Sequence, residues 1–246
     1  MRTLDDQDIR WALRLCPKTL RTVLQETGSI LAGGFIRAVV AGEKPSDIDL
    51  FVPNNALAET VSKKIAALQP GARILKTQNA FTVLGAFRLS VQIIHRWTYP
   101  DAETLVKSFD FTISRAAVWW NGKAWESVAD PRFYIDLASK RLVYCSPERN
   151  EDAGGSMLRV LKFYQRGYRI PLDSLGAVVA RLMGGIREEE LKRFGHDDET
   201  LEARRARIIT ALLVMVDPNT DVGAVAHLPA KDEPIEEPDE PVEIAR

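Results

Sequence analysis

Leu31-Ala-Gly-Gly-Phe-Ile-Arg37 and, after a short loop, Ser46-Asp-Ile-Asp-Leu-Phe-Val52 decide how the chain folds. Residues 29 to 32 read as a buried strand, Gly33-Gly34 as a tight turn, 35 to 41 as a helix stopped at Gly42, and 47 to 52 as a second strand. Ile48, Leu50 and Val52 alternate through that second strand as apolar residues, so Asp47 and Asp49 emerge together on the other face. Two carboxylates on one face can share hard cations. Phosphoryl transfer uses such a pair, with two Mg²⁺ ions roughly 3.5–4 Å apart neutralising a triphosphate and activating a hydroxyl. A lone Asp-x-Asp more often merely faces solvent. Here a Gly-Gly turn that opens backbone N–H groups to a phosphate, with Arg37 on the helix behind it, favours the metal reading.

Working outward, apolar positions at helical spacing across residues 5 to 26, broken at Pro17, predict two short helices ending near Gly28. Residues 56 to 68 predict a helix capped by Asn54 or Asn55. Strands follow at 73–75, 81–84 and 89–94, then a short helix at 101–107. A strand over 111–120 is joined through Asn121-Gly122 to 124–128, a strong hairpin signal. Residues 131–138 read as helix, 142–144 as a last short strand, and everything beyond the polar stretch 146–155 as helix up to 216. Some strand connections are too short for crossover helices, so the sheet is mixed and the class α+β. The expected divisions are N-terminal helices over 1–28, a mixed-sheet domain over 29–145, a helical domain over 146–216, and a disordered acidic tail over 217–246.

The order and spacing of Gly33-Gly34, Arg37 and Asp47-Ile-Asp49 resemble the signature of polymerase-β-superfamily nucleotidyltransferases. More narrowly, they resemble the head domain and first neck helix of bacterial-type CCA-adding enzymes and poly(A) polymerases. Asp110-Phe-Thr-Ile-Ser114 is similar to that group's Asp-Phe-Thr-Ile-Asn block near the nucleotide. Asp130-Pro131 with residues 134–142 resembles the segment closing the head, and Leu158-Arg-Val-Leu-Lys-Phe163 with Gly167-Tyr-Arg-Ile170 resembles the first neck helix. The resemblance implies a polymerase-β-like head followed by a short helical neck. It implies two Mg²⁺ ions held by Asp47 and Asp49, and a supporting role in catalysis for Asp110. It further implies phosphate contact by the Gly33-Gly34 backbone and Arg37, with Arg115 as another nucleotide-binding position. The reaction implied is transfer of a nucleotide from an NTP to a hydroxyl acceptor with release of pyrophosphate. The chain also departs from the pattern. Ala38 replaces the Asp that usually follows the Arg, Ser114 replaces the Asn, and the adjoining strand offers only Gln92 and His95 where many members carry a third acid. Glu151-Asp152 stand too far before Arg159 for base selection to be carried onto them.

Arg159, Lys162, Arg166 and Arg169, spaced three, four and three apart, place a basic stripe along one predicted helix face, the candidate surface for RNA such as tRNA. A merely solvated face explains the same spacing equally well. Trp119, Trp120 and Trp125 flank the hairpin, where packing is a commoner use than base stacking. His95 reads as a satisfied strand-end histidine. Formal net charge is −1, but seven acids against Lys231 and Arg246 lie beyond Pro229, so the rest of the chain is mildly basic. Cys16 and Cys145 have no partners at ligand spacing, so neither a disulfide framework nor a zinc site is suggested and both read as buried free thiols. The apolar runs fall short of the ~20 residues of a bilayer span, and Asp5, Asp6 and Asp8 stand where a signal peptide needs a basic start. A cytoplasmic protein without a membrane partner is therefore expected. Oligomeric state stays open, as does the acceptor: an RNA 3′ end, a small molecule or a protein. A catalytically impaired nucleotidyltransferase-like regulatory module is favoured by Ala38 and the missing acid, and opposed by the intact Gly-Gly and Asp-x-Asp.

Overall fold

Pro17 separates α1 (Asp6–Leu15) from α2 (Lys18–Thr27), and Gly28, in the left-handed region at φ 64°, ends α2. The computed structural model describes residues 1–145, 147, 153–184, 186 and 200–216, with side chains of the last helix described to residue 210. They fall into two units, one over Met1–Ala138 and one beginning at Ser139.

In the first unit, β1 (Ile30–Ala32) leads into α3 (Gly34–Val40), then β2 (Asp47–Phe51) and α4 (Asn55–Ala66). Asn54 caps α4 by accepting the Leu57 N–H at 2.9 Å. β3 (Arg73–Lys76), β4 (Ala80–Leu84) and β5 (Ser90–Ile94) follow, then α5 (Ala102–Lys107), capped by Asp101 through the Thr104 N–H at 2.7 Å. The hairpin β6 (Ala116–Trp120) and β7 (Trp125–Ala129) and the helix α6 (Phe133–Ala138) complete it. The seven strands form one sheet in the order β3-β4-β5-β2-β1-β6-β7. Only β2 and β5 pair in parallel; the other neighbours are antiparallel, as a mixed α+β sheet requires.

Pleating sorts the residues of β2 onto two faces. Ile48 and Leu50 are fully buried in the core on one side. Phe51, Asp49 and Asp47 share the other side. There Phe51 packs with Ala32, Ala117, Val128 and the α5 residues Ala102, Leu105 and Val106, so α5 covers one part of that face. The register carries the same face onto β5 and β4 as Ser90 and Gln92, then Thr82 and Leu84, all half-buried. With Leu84 as the exception, polar residues thus occupy the part that α5 leaves uncovered, and this is what places a polar site on an otherwise apolar sheet.

The expected strand over 111–120 begins only at Ala116, because Thr112–Ser114 coil into a 3₁₀ turn. The buried carboxylate of Asp136 accounts for this: the Thr112 hydroxyl donates to it at 2.7 Å, diverting a β-branched residue from the ladder. Residues 142–144 form no strand either. Tyr144 takes part only in an isolated bridge, Arg141 just before the segment bridges Arg169, and the Leu142 N–H donates to the Arg169 carbonyl at 2.9 Å.

The second unit contains α7 (Ala153–Gln165), α8 (Leu172–Gly184) and α9 (Leu201–Val216). The helix carrying Arg159 and Lys162 stops at Gln165, and Gly167 turns the chain at φ 84°. Arg166 and Arg169 therefore lie beyond the helix, and the four cations do not form one helical stripe. The acidic segment 217–246 lies outside the described residues.

Candidate active site

Asp47 and Asp49 stand half-buried on β2, each beside a fully buried neighbour that fixes the strand's orientation. Two neutral donors hold Asp47. The Ser46 hydroxyl donates to Oδ1 at 2.7 Å and the Gln92 amide Nε2 to Oδ2 at 3.1 Å. Gln92 reaches it from β5, where it is registered opposite Asp49. The sequence marks Gln92 only as the place where an acid is missing; its contact depends on the parallel β2–β5 pairing, which no local pattern announces.

The glycine turn lies alongside. β1 runs antiparallel to β2, with Ile30 opposite Phe51 and Leu31 opposite Leu50, so the chain leaving β1 at Gly33 passes the end of β2 that bears Asp49 and Asp47. Gly33 has φ 79° and ψ −128°, its N–H donates to the Ala116 carbonyl at 3.0 Å, and the Phe109 ring stands 3.5 Å from where a β-carbon would sit. Gly34 opens α3 with nothing within 4 Å of a β-carbon position. The first N–H groups of a helix have no intrahelical acceptor, so this turn directs backbone donors outward beside two acids.

Arg37 lies deeper. Its side chain is 3% exposed and Nη1 meets the Glu43 carboxylate at 2.5 Å. Glu43 is held by its N–H to the Ala38 carbonyl at 2.8 Å, which sets its carboxylate against Arg37. Asp110 is 6% exposed, just after Phe109. Arg115 fastens this corner: Nε donates to the Phe109 carbonyl at 2.8 Å, Nη2 to the Lys107 carbonyl at 2.8 Å, and Nη1 lies 3.5 Å from Asp130. Asp136, unmarked in the sequence, anchors the corner from below by accepting from Thr112 and from Arg132 Nε at 3.0 Å and Nη2 at 2.8 Å.

In the second unit Arg159 is half-buried and Lys162 exposed on α7. Arg166 lies 5.9 Å from the Phe163 ring centroid and Arg169 4.7 Å from that of Tyr164. His95 is satisfied by the Thr77 carbonyl at 3.1 Å and lies against Phe81. Trp120 and Trp125 pack edge to face at 5.5 Å.

Among the described residues no three His, Cys, Asp or Glu gather as a metal cluster. Two carboxylates remain at the site, and their hard oxygens fit Mg²⁺, which is commonly held by one or two carboxylates together with substrate phosphates. No helix among the described residues is long and apolar enough to cross a membrane.

The fold is that of the nucleotidyltransferase head of CCA-adding enzymes. The Thermotoga maritima CCA-adding enzyme complexed with tRNA matches with 19% identity and a TM-score of 0.56, over 90% of this chain and 58% of that one. A CCA-adding enzyme in complex with ATP matches with 22% identity and a TM-score of 0.55, over 90% of this chain and 57% of that one. Another, in complex with CTP, matches with 22% identity and a TM-score of 0.56, over 87% and 51%. The chain spans little more than half the length of these enzymes, and at such identity the likeness is one of fold. No curated protein matches. Across residues 5–140, which hold the whole sheet and every residue of the site, the sequence matches the Gabija anti-defense 2 family, and the chain belongs to that family.

Proposed function

We propose that this protein is a metal-dependent nucleotidyltransferase that opposes the Gabija defence named in its family description by moving a nucleotide from an NTP onto a hydroxyl of its target. The observation that carries this reading is the pair Asp47 and Asp49 on the uncovered face of β2, beside the Gly33-Gly34 turn. Asp47 and Asp49 are the residues that would hold Mg²⁺, which when bound supplies charge neutralisation of the triphosphate and activation of the acceptor hydroxyl. The Gly33-Gly34 backbone offers N–H groups to the phosphates, with no side chain in the way at Gly34. Arg37 ties α3 to Glu43 and Arg115 holds the 107–115 corner, so their contribution is pre-organisation, while Asp110 takes the supporting role in catalysis. In the transfer the acceptor oxygen bonds to the α-phosphorus as the bond to the bridging oxygen breaks, releasing pyrophosphate.

For the acceptor, an RNA 3′ end is supported by Lys162 and Arg169, exposed in the second unit, and by the tRNA complex of a protein with the same fold. A protein hydroxyl in the defence system is supported by the family description. The test is to incubate the protein with Mg²⁺ and each NTP labelled at the α- or γ-phosphorus, adding either cellular RNA or purified Gabija components. Label passing from α- but not γ-labelled NTP to one acceptor supports the reading and names the acceptor. No label in either acceptor with any NTP contradicts it.

A further inference from the structure

The two oxygens of Asp47 are each engaged by a neutral donor, Ser46 Oγ at 2.7 Å and Gln92 Nε2 at 3.1 Å. Gln92 is the residue of β5 registered opposite Asp49, on the same face and half-buried. It is therefore the residue of the adjoining strand that stands opposite one acid and hydrogen-bonds the other, and it brings an amide there rather than a charge. An amide orients a carboxylate without repelling it. It also adds no third negative charge beside Asp47 and Asp49, and the strength of oxygen-ligand sites follows the number of charged ligands.

From this geometry we infer that Gln92 is a positioning residue that sets the cation affinity of the site: it fixes Asp47, adds no charge, and so makes cation uptake depend on the triphosphate. The inference rests on the nucleotidyltransferase reading. Without nucleotide, the ion meets Asp47 and Asp49 with no phosphate oxygens to join them. When a triphosphate occupies the turn at Gly33-Gly34, its oxygens complete the set of ligands and the two bind together. Coupling of this kind is reciprocal, each ligand raising the affinity for the other by the same factor.

The test measures binding of Mn²⁺ to the whole protein by electron paramagnetic resonance, with and without a non-hydrolysable α,β-methylene triphosphate of each base. Wild type is expected to bind Mn²⁺ weakly alone and at least tenfold tighter with an analogue. Gln92→Glu, which adds a carboxylate, is expected to tighten binding of Mn²⁺ alone on the order of tenfold and shrink the effect of the analogue. Gln92→Leu, which keeps the bulk but drops the donor, is expected to weaken binding with the analogue on the order of tenfold, as loss of a residue orienting a ligand does. Circular dichroism of both variants checks that the fold is kept, and a purely structural Gln92 would leave all these affinities unchanged. If wild type binds Mn²⁺ and Asp47→Asn abolishes it, yet both Gln92 variants bind as wild type does, this inference falls and the proposed function stands. Equally tight binding with and without analogue in wild type overturns it too. If wild type binds no Mn²⁺ under either condition, the inference and the proposed function fall together.

Discussion

The guanidinium of Arg37 meets the carboxylate of Glu43 at 2.5 Å inside the first unit, with the Arg37 side chain 3% exposed. Removing one partner of a buried ion pair strands the other's charge, which costs roughly 3–5 kcal/mol. Glu43 is itself 24% exposed, so water reaches the carboxylate that Arg37→Ala leaves behind, and that variant is expected to lower the stability measured by urea unfolding by less, about 1–3 kcal/mol. Arg37→Ala with unchanged stability but lost nucleotide binding would instead make Arg37 a direct phosphate ligand.

The two glycines of the turn should part company. Gly33→Ala must hold φ near 79° beside the Phe109 ring, and such strain costs on the order of 1–3 kcal/mol. Gly34→Ala meets nothing within 4 Å and sits at a helical position, so stability should hold or rise by up to about 1 kcal/mol. Its effect should appear instead in NTP binding, since the new methyl group stands where a phosphate would approach. Unchanged NTP affinity in a stable Gly34→Ala protein would remove the phosphate from this turn.

Burial pushes the Cys16 thiol up to about 12, with Arg21 only partly offsetting it. The folded state therefore holds its proton more tightly than the unfolded chain. That advantage is complete below the ordinary thiol range near 9 and is lost as pH rises through 12. Each pH unit in that window should cost on the order of 1 kcal/mol. Cys16→Ala should flatten the decline in melting temperature above pH 9, at the expense of a small cavity. In native protein a thiol reagent should modify Cys145 and leave Cys16 untouched until unfolding; prompt labelling of both would show that the α1–α2 core opens.

If RNA is the acceptor, affinity should fall steeply with salt. Replacing Lys162 and Arg169 together by Ala should lower the slope by about one unit for each phosphate no longer neutralised, while NTP binding stays as it was. No measurable RNA binding at low salt, with NTP binding intact, would leave a protein acceptor as the target.

What the sequence disclosed and what it hid follow from range. Asp47 and Asp49 are two residues apart in an alternating strand, and Gly33-Gly34 punctuates a strand and a helix, so local rules place them. The contact of Gln92 with Asp47 spans 45 residues and exists only through the β2–β5 pairing. Phe111 to Ser114 looks like strand by residue type, and only the buried Asp136, 24 positions past Thr112, turns it aside. The basic spacing from Arg159 to Arg169 looks helical throughout, although Gly167, the residue that ends it, was visible. Arg37 is a cation near a phosphate turn in sequence; that Glu43 curls back to meet it follows from the loop at Gly42.

Asp47 and Asp49 are the acids on which the proposed transfer reaction depends, and pyrophosphate release tests that role most directly. Purified wild-type, Asp47→Asn and Asp49→Asn proteins are compared with Mg²⁺, NTP and the acceptor found by labelling, after thermal unfolding shows the same melting temperature for all three. The predicted result is release by wild type, matched one for one with labelled acceptor, and a fall of at least about a hundredfold in either variant. Undiminished release by both folded variants would contradict that role.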